Sequence, residues 1–141
     1  MTINRRRGTA IVETSKGILV AASRNKLFLL PGGGAEKHES RRKAAIRELR
    51  EETGLKAYYW KYLFIHHEPK YNYHDGKRRK IRNLHKVFLI KAKGNPKPNY
   101  HDVSHITYWK PGAHVQISRT TKAIIDKYLK EFKKWNAKQS H

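Results

Sequence analysis

Residues 31–55, PGGGAEKHESRRKAAIRELREETGL, decide the fold: a glycine-rich turn feeds a helix that carries Glu48, Glu51 and Glu52. At about 100° per residue the three carboxylates share an arc of about 100°. Ala45, Ile46 and Leu49 fill the neighbouring arc, the side expected to pack on a sheet. Gly54 stands where a helix takes a left-handed C-cap residue, and Leu55 supplies the accompanying apolar contact. The helix therefore presents an acidic ridge beside its buried face.

That ridge stands out against the charge of the whole chain. The 141 residues hold 32 Lys and Arg against 11 Asp and Glu, a net charge of +21, so negative charge is gathered nowhere else. Like charges three or four residues apart cost a few tenths of a kcal/mol each on an isolated helix. A divalent cation reverses that sign. Mg²⁺ takes oxygen ligands and keeps several waters, so carboxylates of one helix together with substrate phosphates form a suitable shell. Gly32, Gly33 and Gly34 let the backbone come close to a metal or a phosphate. The chain has no cysteine, which excludes thiolate zinc sites, disulfides and a Cys nucleophile. An acidic helix by itself is more often a solvated face, here one partnered by Arg47 and Arg50.

Outward from the helix the pattern is mostly strands. Residues 5–30, RRRGTAIVETSKGILVAASRNKLFLL, alternate β-branched residues with turn signals, which predicts a two-stranded hairpin and a short third segment. Residues 57–67 and 84–92 read as longer strands rich in aromatic and aliphatic side chains. Residues 68–82 between them form a polar loop with Tyr71, Tyr73 and the run Lys77-Arg78-Arg79-Lys80. A turn-rich connector, GNPKPNYHD, leads to a short strand at residues 104–109. From about residue 118 to 135 the apolar residues Ile124, Ile125, Tyr128, Leu129 and Phe132 recur at helical spacing. These elements predict an α/β sandwich with a mixed sheet, residues 1–141 forming a single domain.

Gly33, Glu39 and the run Arg47-Glu48-Leu49-Arg50-Glu51-Glu52-Thr53-Gly54-Leu55 together resemble a complete Nudix box. A pattern this long is specific in a way that a lone glycine motif is not. The resemblance implies a Nudix-type α/β/α sandwich and hydrolysis of a pyrophosphate linkage with Mg²⁺ or Mn²⁺. It implies Glu48, Glu51 and Glu52 as metal ligands, with the carbonyl of Gly33 a further one. Glu39 and Arg47 would hold loop and helix together, Arg47 also steering the carboxylates. Glu52 is the first choice for general base, ahead of Asp102 and Glu68. Two positions depart from relatives: His38 stands where many carry glycine, and the Lys26-Leu27-Phe28 stretch replaces a tryptophan.

The implied substrate is a small-molecule phosphoanhydride, a nucleoside triphosphate or a nucleoside diphosphate derivative. Outside the box, Arg24 is the candidate for binding a phosphate, and Tyr71, Tyr73 and Trp109 are candidates for stacking on a base. The basic excess leaves open a more polyanionic substrate, an RNA 5′ end or a diphosphoinositol polyphosphate. It also leaves open a non-enzymatic module that binds nucleotides or RNA through Arg5-Arg6-Arg7 and the basic loop. Retention of all three glutamates speaks for an enzyme. The longest apolar runs, such as LFLL and VFLI, are far too short to span a bilayer, so the expectation is a soluble cytoplasmic protein without membrane attachment. Sheet edges offer surfaces for a homodimer, which no residue pattern specifies.

Overall fold

The strand signals in residues 5–30 build two different sheets rather than one hairpin. The computed structural model describes residues 2–69, 71, 73–74 and 79–133. Its elements are β1 (Thr2–Ile11), β2 (Glu13–Thr14), β3 (Gly17–Ala22), β4 (Gly32–Gly34), α1 (Arg41–Thr53), β5 (Lys56–His67), β6 (Tyr73–His74), β7 (Lys80–Lys93), β8 (His105–Trp109) and α2 (Arg119–Tyr128). A π-helical turn, Leu129–Lys133, continues α2.

The larger sheet runs β4-β1-β7-β5, with β6 also on β7. Within it β1 lies parallel to β7 and antiparallel to β4, and β5 lies antiparallel to β7, so the sheet is mixed as expected. The smaller sheet is antiparallel, β2-β3-β8.

Alternation along β1 and β7 sends neighbouring side chains to opposite faces. Ala10, Val12, Phe88 and Ile90 join Ala45 and Leu49 of α1 and Leu19 of β3 in one buried cluster. Ile11 and Val87 point the other way, into a second cluster with Ile18, Val20, Phe64 and the α2 residues Ile124, Ile125 and Tyr128. The sheets thus lie between α1 and α2. Tyr128 also donates a 2.7 Å hydrogen bond to the Glu13 carboxylate, and Lys133 pairs with the same group, tying the end of α2 to β2.

α1 forms where its end signals place it. The Ser40 hydroxyl accepts from the Lys43 amide at 3.1 Å as N-cap, and Gly54 closes the helix with φ 78° and its N–H on the Arg50 carbonyl. The predicted terminal helix is shorter in regular form, because the α-helical part ends at Tyr128. β7 in turn starts at Lys80, where its polar first residues pair with Thr2 and the following residues of β1. Among the described residues no helix is long and apolar enough to cross a membrane.

Candidate active site

Arg47 organises the acidic face of α1. Its Nε and one terminal nitrogen donate to both oxygens of Glu39 at 2.9 Å, a bidentate pair, while the other terminal nitrogen donates to Glu48 at 2.9 Å. That second nitrogen also reaches Glu51 at 3.3 Å, and the first reaches the Gly34 carbonyl at 3.2 Å. One guanidinium therefore joins the loop, the glycine strand and two of the three ridge glutamates. Its hydrogen bonds, with one from the Glu36 amide, hold the Glu39 carboxyl down at about 2.

Gly33 packs directly beneath the Glu48 carboxyl. A Cβ at Gly33 would stand 2.7 Å from Glu48 Cγ and closer still to the carboxyl carbon, so only glycine leaves room there. Gly32 meanwhile donates its N–H to Glu52 at 2.9 Å. Burial pushes the Glu52 carboxyl up to about 7, against the pull of the Gly32 amide and the Arg7 guanidinium. Glu51 stays exposed. Among the described residues no three acid or imidazole side chains are already gathered into a metal cage, since Arg47 and Gly32 hold the glutamates individually. As a donor set, three carboxylates and a peptide carbonyl are hard oxygen ligands of the kind Mg²⁺ and Mn²⁺ take.

Beyond Arg7 opens a cavity of about 460 Å³. Arg5, Arg7 and Thr9 of β1 and Asn83 and His85 of β7 line it, all on the α2 side by the same alternation that buries Ile11 and Val87. Glu68, Leu30 and the start of α2 from Ser118 to Thr121 complete the wall. A buried network runs through it. Thr9 Oγ1 and His85 Nδ1 lie 2.7 Å apart and His85 Nε2 stands 3.4 Å from Glu68; a neutral imidazole that donates from Nε2 to the Glu68 carboxylate accepts from the Thr9 hydroxyl at Nδ1. Glu68 also accepts from the Asn83 amide at 2.6 Å and from the Thr120 hydroxyl at 3.3 Å. Burial favours a neutral Glu68, but these donors outweigh it and hold the carboxyl below its ordinary range. Burial holds His85 below the usual imidazole value.

The structure brings Arg47, Glu48, Glu51, Glu52 and Gly33 together at one corner of α1 and β4. Asp102 comes near as well. Asn99 Oδ1 accepts from the amides of His101, Asp102 and Val103 while its Nδ2 donates to the Glu51 carbonyl, which sets this turn on the end of α1. The other sequence candidates lie elsewhere. Arg24 is exposed on the turn after β3. Trp109 packs beside the α2 core cluster and lines a separate hollow with Glu13 and Lys110. Tyr71 donates to Asn4 at 3.0 Å under the Arg82 guanidinium, away from the cavity wall. The Tyr73 side chain, Lys77 and Arg78 lie outside the described residues. The sequence pattern did not single out Thr9, Asn83, His85 or Thr120 for a site, although the spacing Arg5-x-Arg7-x-Thr9 on a strand with a buried end marks a polar patch on one sheet face.

An α/β/α sandwich with an arginine-clamped glutamate helix behind a glycine strand defines a class of phosphoanhydride hydrolases, and comparison with known proteins bears this out. The NUDIX domain family profile matches residues 4–132. The chain belongs to the Nudix family. A nudix hydrolase family member from Chromobacterium violaceum is 36% identical, with 99% of this chain and 89% of that one covered at a TM-score of 0.77. A MutT NUDIX hydrolase from Burkholderia pseudomallei is similar in fold at 17% identity, with 88% and 97% covered and a TM-score of 0.73. The NUDIX domain of Shewanella oneidensis NrtR, solved with ADP ribose, is similar in fold at 15% identity, with 92% and 89% covered and a TM-score of 0.69. The comparison with curated proteins gave no match.

Proposed function

We propose that this Nudix hydrolase cleaves the pyrophosphate linkage of a nucleoside triphosphate or a nucleoside diphosphate derivative, with Mg²⁺ or Mn²⁺ held by Glu48, Glu51, Glu52 and the Gly33 carbonyl. The observation that carries this reading is the Arg47-clamped glutamate ridge, whose Glu52 feels the charge of Arg7, a residue that lines a cavity of about 460 Å³. That volume falls in the range of small-ligand sites. Arg5, Arg7 and Arg119 give the wall cationic partners for phosphates, and the Asn83, His85 and Thr9 network gives it polar groups for a nucleoside. ADP ribose, bound by the NrtR domain, belongs to the same chemical class.

The bound metal would neutralise charge on the phosphoryl oxygens and the leaving phosphate. Arg47 sets the direction of the Glu48 and Glu51 carboxylates through its hydrogen bonds to both. Glu52, the ridge carboxylate held by Gly32 and acted on by the charge of Arg7, is assigned to accept the proton of the attacking water. Water oxygen bonds to phosphorus, the bridging oxygen departs with the leaving phosphate, and Arg7 on the cavity wall is a cationic group available to that charge.

The test is a metal-supplemented phosphate-release screen over nucleoside triphosphates, ADP-ribose, dinucleoside polyphosphates, capped RNA and diphosphoinositols. Glu51→Gln and Glu52→Gln should each cut turnover of the best substrate by about a hundredfold or more. Turnover at the parent rate in both variants would sink the site assignment.

A further inference from the structure

The other face of the larger sheet carries a second polar hollow, of about 390 Å³, lined by Ser40, Arg41, Arg42, Trp60, Tyr62, Lys86 and Phe88. It lies on the α1 side, because Lys86 and Phe88 alternate along β7 with His85, which lines the cavity, and Val87, which is buried in the α2 cluster. Its rings are unusually open. Trp60 is 43% and Tyr62 49% exposed, and Tyr58 and Tyr59 on the same strand are 61% and 42% exposed. The Arg42 guanidinium stands 5.7 Å from the Trp60 ring centre, and the Lys86 ammonium 5.2 Å from that of Tyr62.

The charge here is uncompensated. Among the described residues Arg6, Arg41, Arg42 and Lys86 have no salt bridge to a carboxylate, whereas Arg47, one turn along α1 on its acidic side, touches three. Burial, then repulsion from Arg6, holds the Arg41 guanidinium below its usual value. Trp60 and Tyr62, open on a twelve-residue strand at the edge of its sheet, invite a partner. A second copy of this chain is a poor one, because it brings another +21 of charge and its own row of edge lysines, Lys56 and Lys61. A polyanion with flat apolar faces satisfies rings and cations together. In a duplex those faces are stacked away; in a single strand they are free.

We propose that this face binds a single strand of RNA or DNA, with bases stacked on Trp60 and Tyr62 and phosphates on Arg41, Arg42 and Lys86. The site is separate from the glutamate ridge and does not depend on the hydrolase reading. The probes are fluorescein-labelled oligouridylate and oligothymidylate of about ten nucleotides, titrated with the full chain and followed by anisotropy. Binding should weaken steeply with added salt, and Trp60→Ala should weaken it about tenfold. Arg42→Gln with Lys86→Gln should lower the salt slope by roughly 0.7 for each phosphate that the protein no longer neutralises. The two oligonucleotides tell whether the sugar matters; tight binding of either supports the site. Arg42 is exposed on the surface of α1, so its substitution is a probe that leaves the fold in place, checked by an unchanged thermal unfolding curve. Absence of binding, equal affinity of parent and variants, or equal affinity for a duplex would overturn the proposal. So would sedimentation showing a dimer that Trp60→Ala dissociates and that oligonucleotide does not.

Discussion

Gly33 and His38 show how much a single backbone position decides. A methyl group at Gly33 would overlap the Glu48 carboxyl, so Gly33→Ala must push that side chain off its place between the glycine strand and Arg47. We expect turnover to fall about a hundredfold, the scale of loss for a displacement of about 1 Å in a reacting group. The unfolding midpoint should change little, because a carboxyl end can move more cheaply than backbone. Steady-state kinetics beside a thermal melt checks both, and parent-like turnover would remove Glu48 from the site. His38, where relatives often carry glycine, adopts φ 66°, a left-handed conformation that costs a residue with a Cβ about 1–2 kcal/mol. It is exposed, so its truncation removes no packing. His38→Gly should stabilise the protein by about 0.5–1 kcal/mol once the extra freedom of glycine in the unfolded chain is subtracted. A denaturant titration with an unchanged slope and a higher midpoint is the expected result.

At the scale of the elements, what was legible follows from local signals. The cap Ser40, the stop at Gly54 and the apolar arc of α1 are all written within a dozen residues, and the helix forms as they direct. Leu49 on that arc is fully buried beside Val12, Leu19 and Phe88. Leu49→Ala should cost about 2–5 kcal/mol in a denaturant titration, whereas a substitution at exposed Arg50 should stay within about 0.5 kcal/mol. The pairing of β1 with β7 is of the other kind. Parallel strands share no turn, so nothing near Thr2 names Lys80 as its partner, and the early start of β7 could not be read from a stretch in which Ile81 stands alone among Lys80, Arg82 and Asn83. The candidate site divides the same way. The glutamate ridge is a local pattern and was legible. The cavity is made where Arg5 meets Asn83 and Arg7 meets His85 in register, and Glu68 and Thr120 arrive from two further segments. Arg24 was chosen for its place ahead of the glycine turn and Trp109 for its ring, and their turn and strand carry them away from that wall.

The whole molecule lives with a charge of +21, and acid makes this worse by neutralising its 11 carboxylates and charging its nine histidines. Two groups give that trend specific handles. The Glu39 carboxyl sits at about 2 in the folded protein against 4.5 for an unperturbed glutamate, because of its hydrogen bonds from Arg47 and the Glu36 amide. His85 sits below its ordinary 6.5 because it is buried. In both cases the unfolded chain binds a proton at a higher pH than the folded one, so stability falls as pH falls. His85 contributes its loss as pH drops below 6.5, and Glu39 contributes between 4.5 and about 2. Glu52, raised to about 7 by burial, works the other way and offsets the His85 loss between 7 and 4.5, so urea midpoints should change little in that first stage and decline in the second, below 4.5. Glu39→Gln should lower the midpoint at neutral pH and flatten the second stage, so that its curve meets that of the parent at the acid end. A constant offset between the two curves across the whole range would mean that Glu39 and Arg47 contribute packing alone, and that the ion pair joining the loop to the glutamate helix adds nothing to the fold.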